Sequence, residues 1–230
     1  MRTTIETGPF ASYTEPMLRY AITDRARAPV EKPAQEDALL RQAASLAETG
    51  VDFLQLREKD LGPAVLASLA RKLLAVLRSH PTAPKLLINS RADVAIAIGA
   101  DGVHLTSATG SLTPADIRQL YASAGLPEPI VSVSCHTLAE VAAASGPDRD
   151  SVANLILFGP VFEKVVAVQE DQNATETLIA EGIGLNLLHL ACAAAAPTPV
   201  LALGGITPEN TPAALAAGAA GVAAIRHFLG

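Results

Sequence analysis

The sequence predicts an α/β chain folded as a single (β/α)8 barrel. Three observations predict it. Short apolar runs alternate with amphipathic stretches along the chain, eight such runs can be counted, and the usual G-x-G-x-x-G after the first run is missing. Strand–helix alternation demands a parallel sheet covered by helices. A doubly wound open sheet is the alternative, but it rarely uses eight equal repeats and normally carries that glycine signature.

The elements follow in order. Residues 18–23 form the first strand, followed by a polar, proline-bearing segment and a helix over 34–48. Residues 53–57 form the second strand, and Pro63 opens a helix running to 79, proline being favoured at the first helical position. The third strand is 85–88, after which Ser90 and Asp93 have the spacing of a capping box, in which each side chain satisfies an orphan backbone donor. The fourth strand is 102–105, with Thr113 and Pro114 opening its helix, and the fifth is 130–134, with Thr137 and Glu140 again at capping-box spacing. The sixth, seventh and eighth strands are 155–158, 200–203 and 221–224.

After the seventh strand the run GGITPEN reads as a paired-glycine turn and a helix started by Thr207 and Pro208. Two places resist the pattern. Residues 163–184 are too long for a simple strand-to-helix turn, and loops of that length are commonly lids or disordered. Only residues 225–230 remain for a last helix, which leaves barrel surface that a second copy of the chain could cover. Residues 1–16 read as an N-terminal extension ahead of a barrel over 17–230.

Composition excludes several function classes. Half of the 230 residues are hydrophobic, aromatics make up 3%, and the net charge is −6 without basic clusters. A nucleic-acid partner is therefore not expected, since such binding neutralises phosphates over a basic surface. No apolar run approaches the roughly 20 residues of a membrane span, and the first residues lack a signal-peptide core. Two cysteines make no disulfide framework. A cytoplasmic enzyme acting on a small molecule is the expectation.

In a (β/α)8 barrel the active site lies at the C-terminal ends of the strands, which selects a short list of polar residues. QLREK after the second strand sends Gln55, Arg57 and Lys59 to one side, a grip for a phosphorylated or heteroaromatic ligand; a surface ion-pair cluster with Glu58 and Asp60 is the alternative. Asn89 follows the third strand. Ser134, Cys135 and His136 follow the fifth. Histidine titrates nearest neutrality, so His136 is a candidate proton carrier at the mouth, or a packing residue. If His136 faces the pocket, Cys135 faces away. His104, inside the fourth strand, reads as an interior residue bonded to its neighbours. Gly204 and Gly205, with Ala224 and Ile225, occupy the usual barrel phosphate position, where glycine lets backbone N–H groups approach an oxyanion.

Taken in order, YAITD, QLREK, INSRADVAIAIGADGVHL, SVSCHT, LFGPVF and ALGGITPEN resemble the thiamine phosphate synthase/TenI family from Arg19 onward. The resemblance implies a (β/α)8 barrel that binds a thiazole phosphate at the ends of strands seven and eight. Synthase members join that thiazole to an aminopyrimidine diphosphate with the help of Mg2+, releasing pyrophosphate; TenI-like members shift a proton on a carboxythiazole phosphate. This chain departs from the synthase pattern where metal is expected. Asn89-Ser90 stands in place of Asn-Asp, and the loop after strand four, Thr106-Ser107-Ala108-Thr109-Gly110, has no acid. After GPVF, only Lys164 offers a positive charge. Arg226 stands where the family more often has a small hydroxyl residue.

The resemblance therefore favours a thiazole tautomerase. In it His136 moves the proton, and Gln55, Lys59 and Asn89 face the ring. No residue is assigned to a metal and no cofactor is required. Two alternatives are a thiamine phosphate synthase using Mg2+ and a non-catalytic binder of thiazole phosphate.

Overall fold

The computed structural model describes residues 17–27, 30–31, 34–107, 110–148, 150–170, 174–225 and 228, without the side chains of 164–170 and 174–180. The expected extension over 1–16, and Arg226, lie outside the described residues. Strands β1 (Leu18–Ile22), β2 (Phe53–Leu56), β3 (Lys85–Asn89), β4 (Gly102–Thr106), β5 (Ile130–Cys135), β6 (Leu155–Phe158), β9 (Val200–Leu203) and β10 (Gly221–Ala224) close into a barrel in the order β1-β10-β9-β6-β5-β4-β3-β2. Every neighbouring pair is parallel, and β1 seals the cylinder against both β10 and β2. The eight expected strands are the eight barrel strands.

Alternation divides the core in two. Tyr20, Ile22, Leu87, Leu155, Leu157, Leu201 and Ala223 fill the cylinder. Their neighbours along the same strands, such as Ala21, Leu54, Leu86, Ile88 and Val131, pack instead with buried residues of the helices. Residues one apart on a strand point to opposite faces, so a parallel strand buried on both sides reads as a continuous apolar run.

Helices α1 (Gln35–Glu48), α2 (Pro63–Arg78), α3 (Ala92–Ile98), α4 (Pro114–Ser123) and α5 (Leu138–Ala144) follow the first five strands. Pro63 and Pro114 sit at helix starts, and the Thr113–Asp116 and Thr137–Glu140 pairs form reciprocal capping boxes.

Two helix starts differ from expectation. Ser90 and Asp93 form no capping box: Arg91 holds the cap position, Ser90 has φ +56°, and the Ser90 N–H donates to the His104 carbonyl at 2.8 Å. That bond to the neighbouring strand turns Ser90 away from the helix, and Asp93 pairs with Arg91. Thr207 and Pro208 do not begin a helix either. Thr207 Oγ1 accepts from the Asn210 N–H at 3.3 Å while Asn210 Oδ1 accepts from the Thr207 N–H at 2.8 Å, and α7 (Thr211–Ala216) starts only after this closed turn. The capping chemistry is present, but it stabilises a turn ahead of the helix.

Residues 163–184, expected as a long loop, carry an antiparallel pair, β7 (Lys164–Glu170) and β8 (Ala174–Ala180), before α6 (Gly184–Ala195). The pair is a separate two-stranded sheet inserted between β6 and its helix. Among the described residues no helix is long and apolar enough to cross a membrane.

Candidate active site

A cavity of about 820 Å³ opens at the C-terminal ends of the barrel strands. It is lined by Gln55, Arg57, Lys59, Asn89, Ser134, His136, Gly204, Gly205, Ala224 and Ile225, so all of these residues selected from the sequence meet around one mouth. The side chain of Lys164 lies outside the described residues. The lining also includes Ile22, His104, Thr106, Glu163 and Glu209, which strand-end reasoning did not single out as ligand-facing.

Gln55 is almost wholly buried, and its Nε2 donates to Asn89 Oδ1 at 2.7 Å. Its Oε1 has no hydrogen-bond partner among the described residues. A buried polar atom without a partner costs about 1–3 kcal/mol, which an incoming donor removes. Arg57 and Lys59 line the mouth and form no ion pair among the described residues, because the neighbouring acids are taken by another residue. Arg25, from the 3-10 turn after β1, reaches Glu58 at 2.8 Å and Asp60 at 2.6 Å. The expected alternative, a cluster tying Arg57 and Lys59 to those acids, is not formed.

Glu58 is buried and also accepts from Thr23 Oγ1 at 2.6 Å, and Thr23 Oγ1 in turn accepts from the Arg57 N–H at 2.9 Å. This network could not be read locally, since its partners lie more than 30 residues apart.

His136 is an exposed residue whose ring is nonetheless tied down. Its Nδ1 lies 2.5 Å from the Gly159 carbonyl. A carbonyl only accepts, so Nδ1 carries the proton and Nε2 is left as the ring's second exchange position. Glu140 fixes the backbone beneath it by accepting from the N–H groups of His136 at 2.6 Å and Thr137 at 2.9 Å and from Ser107 Oγ at 2.7 Å. Burial acts against ionisation of Glu140, but the Ser107 hydrogen bond and those N–H groups together hold its pKa below the ordinary value. Cys135 points the other way, and burial pushes its thiol up to about 12, so it is no nucleophile.

His104 is buried between two serines, with Nδ1 2.8 Å from Ser132 Oγ and Nε2 2.8 Å from Ser134 Oγ. Burial, with the charge of Arg57 nearby, lowers its pKa to about 3. The ring is neutral in the folded state, whereas in the unfolded chain it protonates near 6.5. Below that value the unfolded state binds a proton the folded state refuses, so stability falls as pH drops, by about 1.4 kcal/mol per pH unit, until the folded pKa is reached. Denaturant titrations from pH 7 to pH 4 are expected to show this slope. The same titrations on His104→Asn are expected to be shallower by this amount, and an equal slope in both proteins would refute the assignment.

Gly204 and Gly205 take φ of +92° and +66°. A Cβ on Gly204 would stand 2.6 Å from Pro160 Cα, and one on Gly205 would meet the Glu163 carbonyl and lie 2.8 Å from Phe162 Cβ. The loop after β6 thus packs directly on the glycine turn. Asn210 Nδ2 donates to the Gly205 carbonyl at 2.8 Å. Among the described residues the N–H groups of Gly204 and Gly205 have no protein acceptor. This combination of held carbonyl and uncommitted N–H groups is what an oxyanion subsite requires.

These features invite comparison with known proteins. A family model described as thiamine monophosphate synthase (TMP-TENI) matches residues 19–228. The chain belongs to the thiamine phosphate synthase/TenI family. A Geobacter sulfurreducens protein provisionally named a thiamine-phosphate synthase is 39% identical over 91% of this chain and 85% of its own length. The thiamine-phosphate synthase of Azorhizobium caulinodans is 31% identical over 90% of this chain and 84% of its own. A solved structure, thiamine phosphate pyrophosphorylase from Pyrococcus furiosus, superposes with a TM-score of 0.66 at 25% identity, covering 91% of this chain and 86% of that one.

The chain is thus similar to transferases of thiamine biosynthesis, and these relatives carry the synthase name rather than that of the tautomerase favoured by the sequence.

Magnesium is the ion the family implies, and the donors near β3 and β4 can be tested against it. The ion takes one or two carboxylates together with substrate phosphates. Asp93 is committed to Arg91, and among the described residues the carboxylates lining the cavity are Glu163 and Glu209, from the loops after β6 and β9. Among the described residues no group of three or more His, Cys, Asp or Glu is placed to hold a metal. The β3 and β4 ends therefore do not fit a protein-held magnesium ion.

Proposed function

We propose that the chain forms thiamine phosphate from a thiazole phosphate and an aminopyrimidine diphosphate. The observation that carries this reading is the buried, unpartnered Gln55 Oε1 at the cavity wall. It calls for a ligand donor, which the exocyclic amine of an aminopyrimidine supplies. A carboxythiazole phosphate, with ring nitrogen, carboxylate and phosphate, offers acceptors instead. The names of the relatives support the same choice.

The bond between the methylene carbon carried by the pyrimidine ring and the diphosphate oxygen breaks, the thiazole nitrogen supplies the electron pair of the new C–N bond to that methylene, and pyrophosphate leaves with the pair of the broken bond. In this reading Gly204 and Gly205 anchor the thiazole phosphate through their free N–H groups. Gln55 and Asn89 orient the pyrimidine, and Ser134 contacts the ring. Arg57 and Lys59, free of acids, take up the charge developing on the departing pyrophosphate, where fixed cations act most strongly. Ala224 and Ile225 line the phosphate end of the same mouth.

A second reading has its own support. His136, with Nδ1–H bound to the Gly159 carbonyl and Nε2 unpaired, is arranged to move a proton on a thiazole ring. That is the tautomerase chemistry, and it needs no group at the β3 and β4 ends.

The deciding assay supplies both substrates and magnesium and measures thiamine phosphate and pyrophosphate. Turnover that falls by about 10²-fold in Arg57→Ala is expected. No thiamine phosphate, together with isomerisation of carboxythiazole phosphate that His136→Ala abolishes, would replace the synthase reading with the tautomerase. If both reactions fail while thiazole phosphate still binds, the chain is a non-catalytic binder.

A further inference from the structure

We propose that a buried hydrogen-bond chain beginning at Tyr20 leaves the Ser134 hydroxyl proton free to donate into the cavity, so that this subsite serves a hydrogen-bond acceptor of the ligand. The inference rests on the functional reading above only for the choice of ligand used to probe it.

Four polar groups are strung across the barrel interior. Tyr20 Oη lies 3.0 Å from Ser132 Oγ, Ser132 Oγ lies 2.8 Å from His104 Nδ1, and His104 Nε2 lies 2.8 Å from Ser134 Oγ. Tyr20 and Ser132 are fully buried, His104 nearly so, and Ser134 reaches the cavity. The imidazole is neutral, because burial disfavours its charged form. The groups then hold four exchangeable hydrogens, one on each hydroxyl and one on the ring, while the three contacts use three. One hydrogen is left over, and its position decides the direction of the whole chain.

If the chain runs outward, Tyr20 donates to Ser132, Ser132 donates to Nδ1, Nε2–H donates to Ser134, and the spare hydrogen is that of Ser134 at the cavity. If it runs inward, Ser134 donates to Nε2, Nδ1–H donates to Ser132, Ser132 donates to Tyr20, and the spare hydrogen is the Tyr20 phenol proton. Tyr20 sits at zero exposure with Ser132 as its one hydrogen-bond partner among the described residues. Stranding that proton disfavours the inward arrangement by about tenfold or more, and the same holds where Tyr20 and Nδ1–H both donate to Ser132 and strand the proton of that fully buried hydroxyl. The outward arrangement strands nothing, because its last hydrogen faces ligand or water.

Tyr20, Ser132 and His104 are therefore positioning residues, and His104 is held as the Nε2–H tautomer. His136, whose Nδ1–H meets a carbonyl, is the opposite tautomer in the same site.

The test is spectroscopic. In the full chain with 15N-labelled histidine, two-bond 1H–15N correlation at neutral pH is expected to show His104 protonated on Nε2 and bare on Nδ1, the signal being assigned by its loss in His104→Asn. A Nδ1–H signal, or an imidazolium, would overturn the proposal. A calorimetric titration with the aminopyrimidine diphosphate completes it: Ser134→Ala is expected to bind about tenfold more weakly than the unmodified chain, and equal affinity would overturn the donor role. If the unmodified chain binds no aminopyrimidine diphosphate at all, the functional reading above falls, and the tautomer measurement alone decides this proposal.

Discussion

Replacing Gly205 with alanine is expected to disrupt the phosphate subsite proposed for it and to cost a measurable part of the protein's stability. The residue holds φ +66°, a conformation that alanine adopts at a cost of about 1 kcal/mol. The added Cβ would also drive into the Glu163 carbonyl and lie 2.8 Å from Phe162 Cβ, and backbone cannot swing aside as a flexible side chain does. The two effects together come to about 3 kcal/mol, which for a chain of this size lowers Tm by roughly 6–12 °C.

Relief of the clash moves the turn, and with it the uncommitted N–H groups of two cavity-lining residues. A displacement near 1 Å at a positioning site costs about 10²-fold in rate, so kcat/KM for thiazole phosphate is expected to fall by about that factor. Thermal denaturation and steady-state kinetics on Gly205→Ala check both numbers. An unchanged Tm with unchanged kcat/KM would refute the close approach and the role assigned to the turn. The glycine is thus needed twice, once to let a neighbouring loop pack and once to free its N–H.

Glu58→Ala is the second large effect. Glu58 lies inside the QLREK run between two cavity-lining cations, yet it is the buried member of the group, its side chain only 2% exposed. Its carboxylate accepts from Thr23 Oγ1 at 2.6 Å, from Arg25 Nη1 at 2.8 Å and from the Arg25 N–H at 3.2 Å. Removing one partner of a buried ion pair costs about 3–5 kcal/mol. Arg25 keeps its exposed bond to Asp60, so the lower end, about 3 kcal/mol, is expected. Thr23 loses its acceptor and with it the orientation that lets its oxygen receive the Arg57 N–H.

Activity is therefore expected to fall along with Tm, even though Glu58 does not line the cavity. Glu58→Gln, which keeps an acceptor for Thr23, is expected to lose less on both counts. A loss below about 0.5 kcal/mol in Glu58→Ala would place the residue among ordinary surface charges.

The capping boxes show where local reading succeeds and where it stops. Thr113–Asp116 and Thr137–Glu140 form as their spacing implies, because each box is complete within four residues. Ser90–Asp93 has the same kind of spacing and does not form, because the Ser90 N–H is claimed by the His104 carbonyl on the next strand and Asp93 by Arg91. At Thr207 the reciprocal bonds with Asn210 form, but Asn210 is also tied to Gly205, and that keeps the segment a turn. The β7–β8 pair was hidden for a related reason: a strand–helix repeat leaves no place for an inserted hairpin, so its residues read as loop.

The sequence by itself determined the barrel, the order of its strands and the residues at their ends, because apolar alternation and helix-start chemistry act over a few residues and repeat eight times. From that repetition follow the mouth lined by Gln55, Asn89, His136 and Gly205 and the family to which the chain belongs. Only the tertiary structure decided which polar groups pair: Glu58 with Arg25, His104 with two serines, Gln55 with Asn89, and the acids of the mouth away from β3 and β4. Those choices depend on distance and burial between residues far apart in the chain, where the cost of an unpaired polar group is set by surroundings that local spacing does not encode.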